Sequence, residues 1–389
     1  MKTNLETAMQ IILAECYRPA SERNWVHMSG PSSNGKTLSI DLMTNGKHTD
    51  ILVPDLVQDA PLGYDYPVDG EIVELMLPKI KRCIESAKAN PREPHILFFD
   101  ELNAGHNEVK KVIQSVGYDR EVRGHKLPKN VTVVSAGNAM NQSCGVGKTM
   151  AHTVNRQLIL NLWYEPEGAF KYASSQGWHP DVLAYLSLKP CAWYCVKDDG
   201  DEETVLQQFR DATAEKQFPS SRGWEKISKA LVYYDKVSAR NAELQKEGKA
   251  TIPSYEPDMV YYAGAVGEER ATDFNALRGC QVPSVNDLIE KRAEFPSDPM
   301  PKWLCVVNCA RALTPGNSEK MITVIRDLNP EMVEVFLTLA GDVAKRYLQE
   351  KGKNVPNSAR SALLSFPGFK ETIFAPGTRY AMALEAQVS

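Results

Sequence analysis

Long hydrophobic runs are missing from this chain. Nowhere in its 389 residues does an uninterrupted apolar stretch approach the roughly 20 residues that a membrane-spanning helix needs, so no helical span and no membrane partner are expected. The N-terminus, Met1-Lys2-Thr3-Asn4-Leu5-Glu6, has no signal-peptide core and leads straight into an amphipathic helical pattern, which makes the cytoplasm the expected compartment. Cysteine is sparse, with eight in all and no CxxC spacing, so neither a disulfide framework nor a zinc knuckle follows. Two pairs at i,i+4, Cys191/Cys195 and Cys305/Cys309, sit in apolar surroundings and read as buried reduced thiols. An excess of either charge is also missing: 45 Lys and Arg against 49 Asp and Glu give a net charge of −4, so nucleic-acid binding would need a local basic patch. No internal repeat or low-complexity tract is present.

What the chain does have is Gly30-Pro31-Ser32-Ser33-Asn34-Gly35-Lys36-Thr37, a full match to the phosphate-binding pattern GxxxxGK[ST]. A short apolar run, Trp25 to Met28, precedes it, and a helix-like segment from Leu38 follows. That strand–loop–helix setting lets backbone N–H groups wrap phosphates at the positive end of a helix dipole. Lys36 is expected to reach the β- and γ-phosphates of ATP, and the Thr37 hydroxyl to ligate Mg²⁺. A second GKT, Gly147-Lys148-Thr149, has Gln142 where the first glycine should stand and no strand leading in, so it reads as a chance fragment.

Further along, His95 to Phe99 is an apolar run ending in Asp100-Glu101, as expected of a buried parallel strand with its C-terminal end at a ligand edge. One carboxylate, Asp100, would hold Mg²⁺ and the other, Glu101, would take a proton from an attacking water. Additional strands are expected over 50–54, 130–136 and 157–163, and helices over 5–16, 78–89 and 106–116. The segment 71–77 is open between hairpin and helical turn. Strands alternating with helices predict an α/β domain with a central parallel sheet. From Pro166 onward the pattern is helical, interrupted by a polar, proline-containing break over 248–257. The expected organisation is therefore an α/β nucleotide-binding core over 1–165, a helical lid over 166–247 and a C-terminal helical extension over 258–389.

Taken in order, Asp100-Glu101-Leu102-Asn103, Arg120-Glu121-Val122, Leu127-Pro128, Val133-Val134-Ser135-Ala136-Gly137-Asn138, Val154-Asn155-Arg156, Phe218-Pro219-Ser220-Ser221-Arg222-Gly223-Trp224 and Gly264-Ala265-Val266-Gly267-Glu268 resemble the MoxR branch of the AAA+ ATPases. The resemblance implies a AAA+ P-loop core followed by an all-α lid, and ATP hydrolysis with Mg²⁺. It implies that Asn138 is sensor 1, on a strand lying between the phosphate-loop strand and the Asp-Glu strand. It further implies that Arg156 is an arginine finger reaching a neighbour's nucleotide and Arg222 the sensor 2 of the lid. A homo-oligomeric ring, a hexamer, follows from it, as does a protein client such as a von Willebrand factor A domain protein. The chain departs from the family pattern at Ser32-Ser33-Asn34 in the loop and at Gln157 after Arg156. Tyr64 and Tyr66, and the basic ribbon of Arg120, Arg123, His125, Lys126 and Lys129, stand where the family carries insertions that face the pore or a partner. The ribbon also leaves open a different reading, a motor or restriction-type translocase acting on nucleic acid.

Overall fold

Ile96, Leu97, Phe98 and Phe99 are all buried, which is possible only if the strand that carries them is covered on both faces. A computed structural model, describing residues 2–69, 71–138, 156–211, 217–356 and 358–372, shows how. The chain divides into two units, Met1–Glu165 and Pro166–Ser389.

In the first unit, helix α1 (Leu5–Tyr17) leads to β1 (Trp25–Gly30), α2 (Lys36–Thr44) and β2 (Thr49–Leu52). A hairpin follows, β3 (Gly63–Val68) with β4 (Glu71–Met76), then α3 (Pro78–Ala89), β5 (His95–Asp100) and α4 (Asn107–Tyr118). A short ribbon, β6 (Glu121–Val122) with β7 (His125–Lys126), precedes β8 (Val131–Asn138), and β9 (Gln157–Asn161) ends the unit's sheet. The five longer-range strands form one sheet in the order β2-β5-β8-β1-β9, every pair parallel. The strand ending at Asn138 thus lies between the phosphate-loop strand and the Asp-Glu strand.

Alternation along the strands supplies two cores. Leu97, Phe99, Val131 and Val133 face α3 and α4 through Ile80, Ile84, Val109 and Ile113. Ile96, Phe98, Val26, Met28 and Val134 face α1 and α2 through Ala8, Ile12 and Ile40. Leu13 is exposed, while Glu15 is buried because its carboxylate accepts from the backbone and side-chain amides of Asn24. Segment 71–77 resolves as a hairpin strand. Tyr64 pairs with Leu75 and Tyr66 with Val73, so these four share one face, and each is more than a third exposed.

Residues of the basic ribbon do not all behave as a basic surface. Arg120 turns inward, donating to the carbonyls of Pro128 and Val131. Arg123, at the ribbon's turn, donates to the Gly63 carbonyl and to Asp65 of the hairpin, and Lys126 pairs with Glu121. The ribbon is therefore poorer in free positive charge than its sequence suggests.

The second unit is helical among its described residues, with helices Pro180–Leu188, Ser221–Lys246, Glu268–Arg278, Pro299–Arg311 and Pro330–Glu350 the main ones. Trp224, Tyr185, Phe274 and Tyr262 form an aromatic centre, with ring centroids 5.0–5.7 Å apart. The Trp224 indole N–H is satisfied by the Ala192 carbonyl at 2.7 Å. Cys305 and Cys309 are buried thiols, pushed up by that burial to about 11 and about 12. No group of three or more His, Cys, Asp or Glu among the described residues is arranged to hold a metal, and no described helix is long and apolar enough to cross a membrane.

Candidate nucleotide-hydrolysis site

The phosphate loop closes the C-terminal end of β1. Gly30 is required there because a Cβ would lie 2.9 Å from both Leu162 Cβ and the Leu162 carbonyl oxygen. Gly35 has φ +89°, a left-handed turn that feeds directly into α2. Between them Ser33 holds φ +59°, a conformation in which its Cβ is crowded. We expect Ser33→Gly to stabilise the fold by about 0.5–1 kcal/mol, relief of strain outweighing the added freedom of the unfolded chain. A urea-unfolding midpoint that fell instead would mean that the serine side chain contributes contacts of its own.

Lys36 is only 8% exposed. Its ammonium donates to the carbonyls of Gly30 at 3.0 Å and Pro31 at 2.7 Å and lies 3.3 Å from Asn34 Oδ1. Asn34 Nδ2 is buried without an acceptor in the same loop. The loop is propped from outside by Tyr164, whose hydroxyl donates to the Ser32 carbonyl at 3.0 Å.

Asp100 ends β5 beside this loop. Its Oδ2 accepts from the Thr37 hydroxyl at 2.6 Å, and its Oδ1 from the Glu101 backbone N–H at 2.8 Å. Glu101 is exposed and stands at φ +54°, a left-handed backbone that a glutamate adopts only when its surroundings impose it. Asn138 is in register with Gly30 on the adjacent strand. Sequence reading assigned no role to Asn103, yet it is buried, and its Nδ2 donates to the Asn138 carbonyl at 2.5 Å. The signal was available, since Asn103 belongs to the Asp-Glu-Leu-Asn run, but nothing in the run says which strand it braces.

His27 was also missed. It lies two residues before Ser29 in β1, 5% exposed, with Nδ1 2.9 Å from Ser135 Oγ, which also accepts from the Trp25 indole N–H at 3.0 Å. Burial, and then the nearby Lys36 ammonium, push its pKa down to about 4 from an ordinary 6.5. The fold therefore keeps His27 neutral where the unfolded chain would protonate it. Stability is complete above about pH 6.5 and lost as pH falls toward 4, by up to about 3 kcal/mol from this residue. In urea titrations at pH 7 and pH 4.5, wild type is expected to lose about 2 kcal/mol more than His27→Gln. Equal losses would remove His27 as the cause.

The phosphate loop, Asp100, Glu101 and Asn138 thus gather at one sheet edge. Arg156 does not join them. It immediately precedes Gln157, which pairs with Trp25 at the start of β1, so about 16 Å of strand separates it from Gly30. Its guanidinium rests over the Tyr118 ring, 4.7 Å from the centroid. Val154 and Asn155 of the same motif, and Gly147-Lys148-Thr149, lie outside the described residues. Arg222 belongs to the second unit, exposed in the first turn of helix Ser221–Lys246, whose Ser220 cap accepts from the Gly223 N–H at 3.1 Å. There the segments 218–224 and 264–268 meet: a Cβ on Gly223 would fall 2.3 Å from the Ala265 carbonyl oxygen.

A parallel sheet in this order, a phosphate loop after its first strand and an acidic pair after its third define a AAA+-type P-loop α/β core, here followed by a helical C-terminal region. No known protein-family description matches the chain. Among solved structures it is similar to the RuvB Holliday junction branch migration motor of Thermotoga maritima, at 14% identity, over 90% of this chain and 95% of that one, with a TM-score of 0.32. It is similar to NtrX from Brucella abortus in complex with ADP, at 14% identity, over 94% of this chain and 68% of that one, with a TM-score of 0.33. PCH-2 of C. elegans matches at 12% identity over 60% of this chain and 62% of that one, with a TM-score of 0.28. At such scores the class rests on this chain's own strand order and loop.

Proposed function

We propose that this chain is an ATP hydrolase that works as a homo-oligomeric ring and uses its cycle to remodel a protein partner, in the manner of the MoxR branch it resembles. The observation that carries the reading is the hydrogen bond from Thr37 to Asp100, which joins the phosphate loop to the acidic strand end at 2.6 Å. These two hard oxygen donors suit Mg²⁺, which takes oxygen ligands, keeps several waters and so needs few groups from the protein. The orphaned Asn34 amide beside them suits an anionic oxygen. Thr37 and Asp100 would hold the ion, which when bound neutralises charge on the phosphates.

The chain's own groups then divide the work. Lys36 moves its ammonium from loop carbonyls to phosphate oxygens, where its charge counts most as the phosphoryl group transfers. Glu101 accepts the proton of the attacking water, and Asn138 orients that water or the γ-phosphate. Arg156, too far from its own loop to serve it, is presented to the neighbouring subunit. Arg222 closes the helical region onto nucleotide, so that nucleotide state biases a two-state motion. The partner class suggested by the resemblance is a von Willebrand factor A domain protein.

ATP turnover per chain should climb cooperatively with protein concentration, because an isolated subunit lacks a finger. A rate per chain that stays constant down to concentrations where the protein is monomeric contradicts the ring. A second reading, a motor acting on nucleic acid, is favoured by Arg18, Arg23, Arg92 and Lys129, which line one cleft where β1, β5 and β8 begin. Stimulation of ATP turnover by nucleic acid at low salt separates it from the first.

A further inference from the structure

On the sheet edge away from the phosphate loop, a cleft of about 590 Å³ opens between the end of α1, the α3–β5 connection and the start of β8. Its wall carries four cationic side chains, Arg18, Arg23, Arg92 and Lys129, and no carboxylate. Glu22 and Glu93 lie on the same connections but do not line it.

The charge in this wall is in excess. Arg23 donates to the carbonyls of Lys129, Val131, Cys16 and Arg18, and its Nε is buried with no partner. Arg120 brings a second guanidinium to the same Val131 carbonyl. Burial holds both guanidiniums below their ordinary range, Arg120 at about 10 with Arg23 adding repulsion. Among the described residues one buried carboxylate, Glu15, stands near Arg23, and Arg18 and Asn24 already engage it. Several cations sharing one carboxylate beside a solvent-open cavity create a positive field there. Arg92 and Lys129 are exposed and pair with no carboxylate among the described residues. Tyr17, 72% exposed, lines the cleft as well.

We propose that this cleft binds the phosphate backbone of a single-stranded nucleic acid, with Arg18, Arg92 and Lys129 meeting phosphates and Tyr17 offering its ring to a base. Guanidinium forks match phosphate oxygens in pairs, and cations interleaved with an aromatic ring are what sequence-tolerant single-strand binding uses. A cavity of this size exceeds what one isolated phosphate would fill. The β6–β7 ribbon is the weaker alternative, because Arg120, Arg123 and Lys126 are already engaged within the chain.

The test is fluorescence anisotropy of a labelled oligothymidylate of about 12 nucleotides on the full chain, across a salt series. The triple variant Arg18→Ala/Arg92→Ala/Lys129→Ala should weaken binding about 10-fold or more and lower the slope of log affinity on log salt by about 2. Tyr17→Ala should weaken binding with that slope unchanged, and His125→Ala/Lys126→Ala should leave binding as it is. Basal ATP turnover of the triple variant should match wild type, so this inference and the hydrolysis reading fail separately. Because Arg18 pairs with the buried Glu15, the double variant Arg92→Ala/Lys129→Ala, which breaks no such pair, should keep the wild-type unfolding midpoint and still weaken binding. Absence of binding, or binding that the triple variant retains, overturns the assignment. Displacement of the oligonucleotide by polyglutamate at lower concentration than by unlabelled oligonucleotide also overturns it, and gives the cleft to an acidic protein.

Discussion

Glu101→Gln protein is expected to bind ATP as wild type does and to turn it over about 10²- to 10⁴-fold more slowly, the usual contribution of a positioned general base. The expectation rests on where Glu101 stands. Its neighbour Asp100 is occupied by Thr37 and by the Glu101 N–H itself, which leaves Glu101 as the carboxylate at this edge with no assigned partner within the loop. The side chain is exposed and the substitution keeps the left-handed backbone, so the thermal midpoint should not move. Loss of nucleotide affinity in parallel with turnover would move Glu101 from proton transfer to binding. Full retention of turnover would take it out of the chemistry.

Arg156→Ala should have the larger effect, about 10³- to 10⁵-fold in turnover, again with ATP still bound. The geometry excludes action within one chain, because Arg156 sits at the start of β9 while the loop closes the far end of β1. An arginine finger must therefore act between chains or not at all. Removing the guanidinium also uncovers Tyr118, so assembly has to be checked by sedimentation alongside rate. An Arg156→Ala protein that assembles and hydrolyses at the wild-type rate would end the finger assignment.

The sheet and the loop were legible because they are written in short-range patterns. A glycine-bounded turn before a helix, and a fully apolar strand ending in two carboxylates, each have few physical interpretations. Elements held by distant partners were less legible. Arg120 reads as surface charge in a run of basic residues, and only the carbonyls of Pro128 and Val131 show that it turns inward. Tyr64 and Tyr66 read only as part of an insertion until the register with Val73 and Leu75 makes them one face of a hairpin. His27 is a single polar residue between apolar neighbours, and Asn103 closes a polar run beside two carboxylates. Their roles depend on which strand lies beside them, and a linear pattern does not carry that. Likewise the contact between Gly223 and Ala265 joins segments that sequence treats as separate motifs.

Mixing Glu101→Gln and Arg156→Ala proteins asks whether a neighbouring subunit completes hydrolysis. Each alone should be nearly inactive, the first for want of a base and the second for want of a finger. In a mixed assembly an Arg156→Ala site can sit against the intact Arg156 of a Glu101→Gln neighbour, and random mixing makes about a quarter of interfaces of this kind. ATP turnover should reappear on mixing, at up to about a quarter of the wild-type rate, and disappear on dilution. Two inactive proteins that co-assemble and stay inactive together would contradict completion by a neighbour.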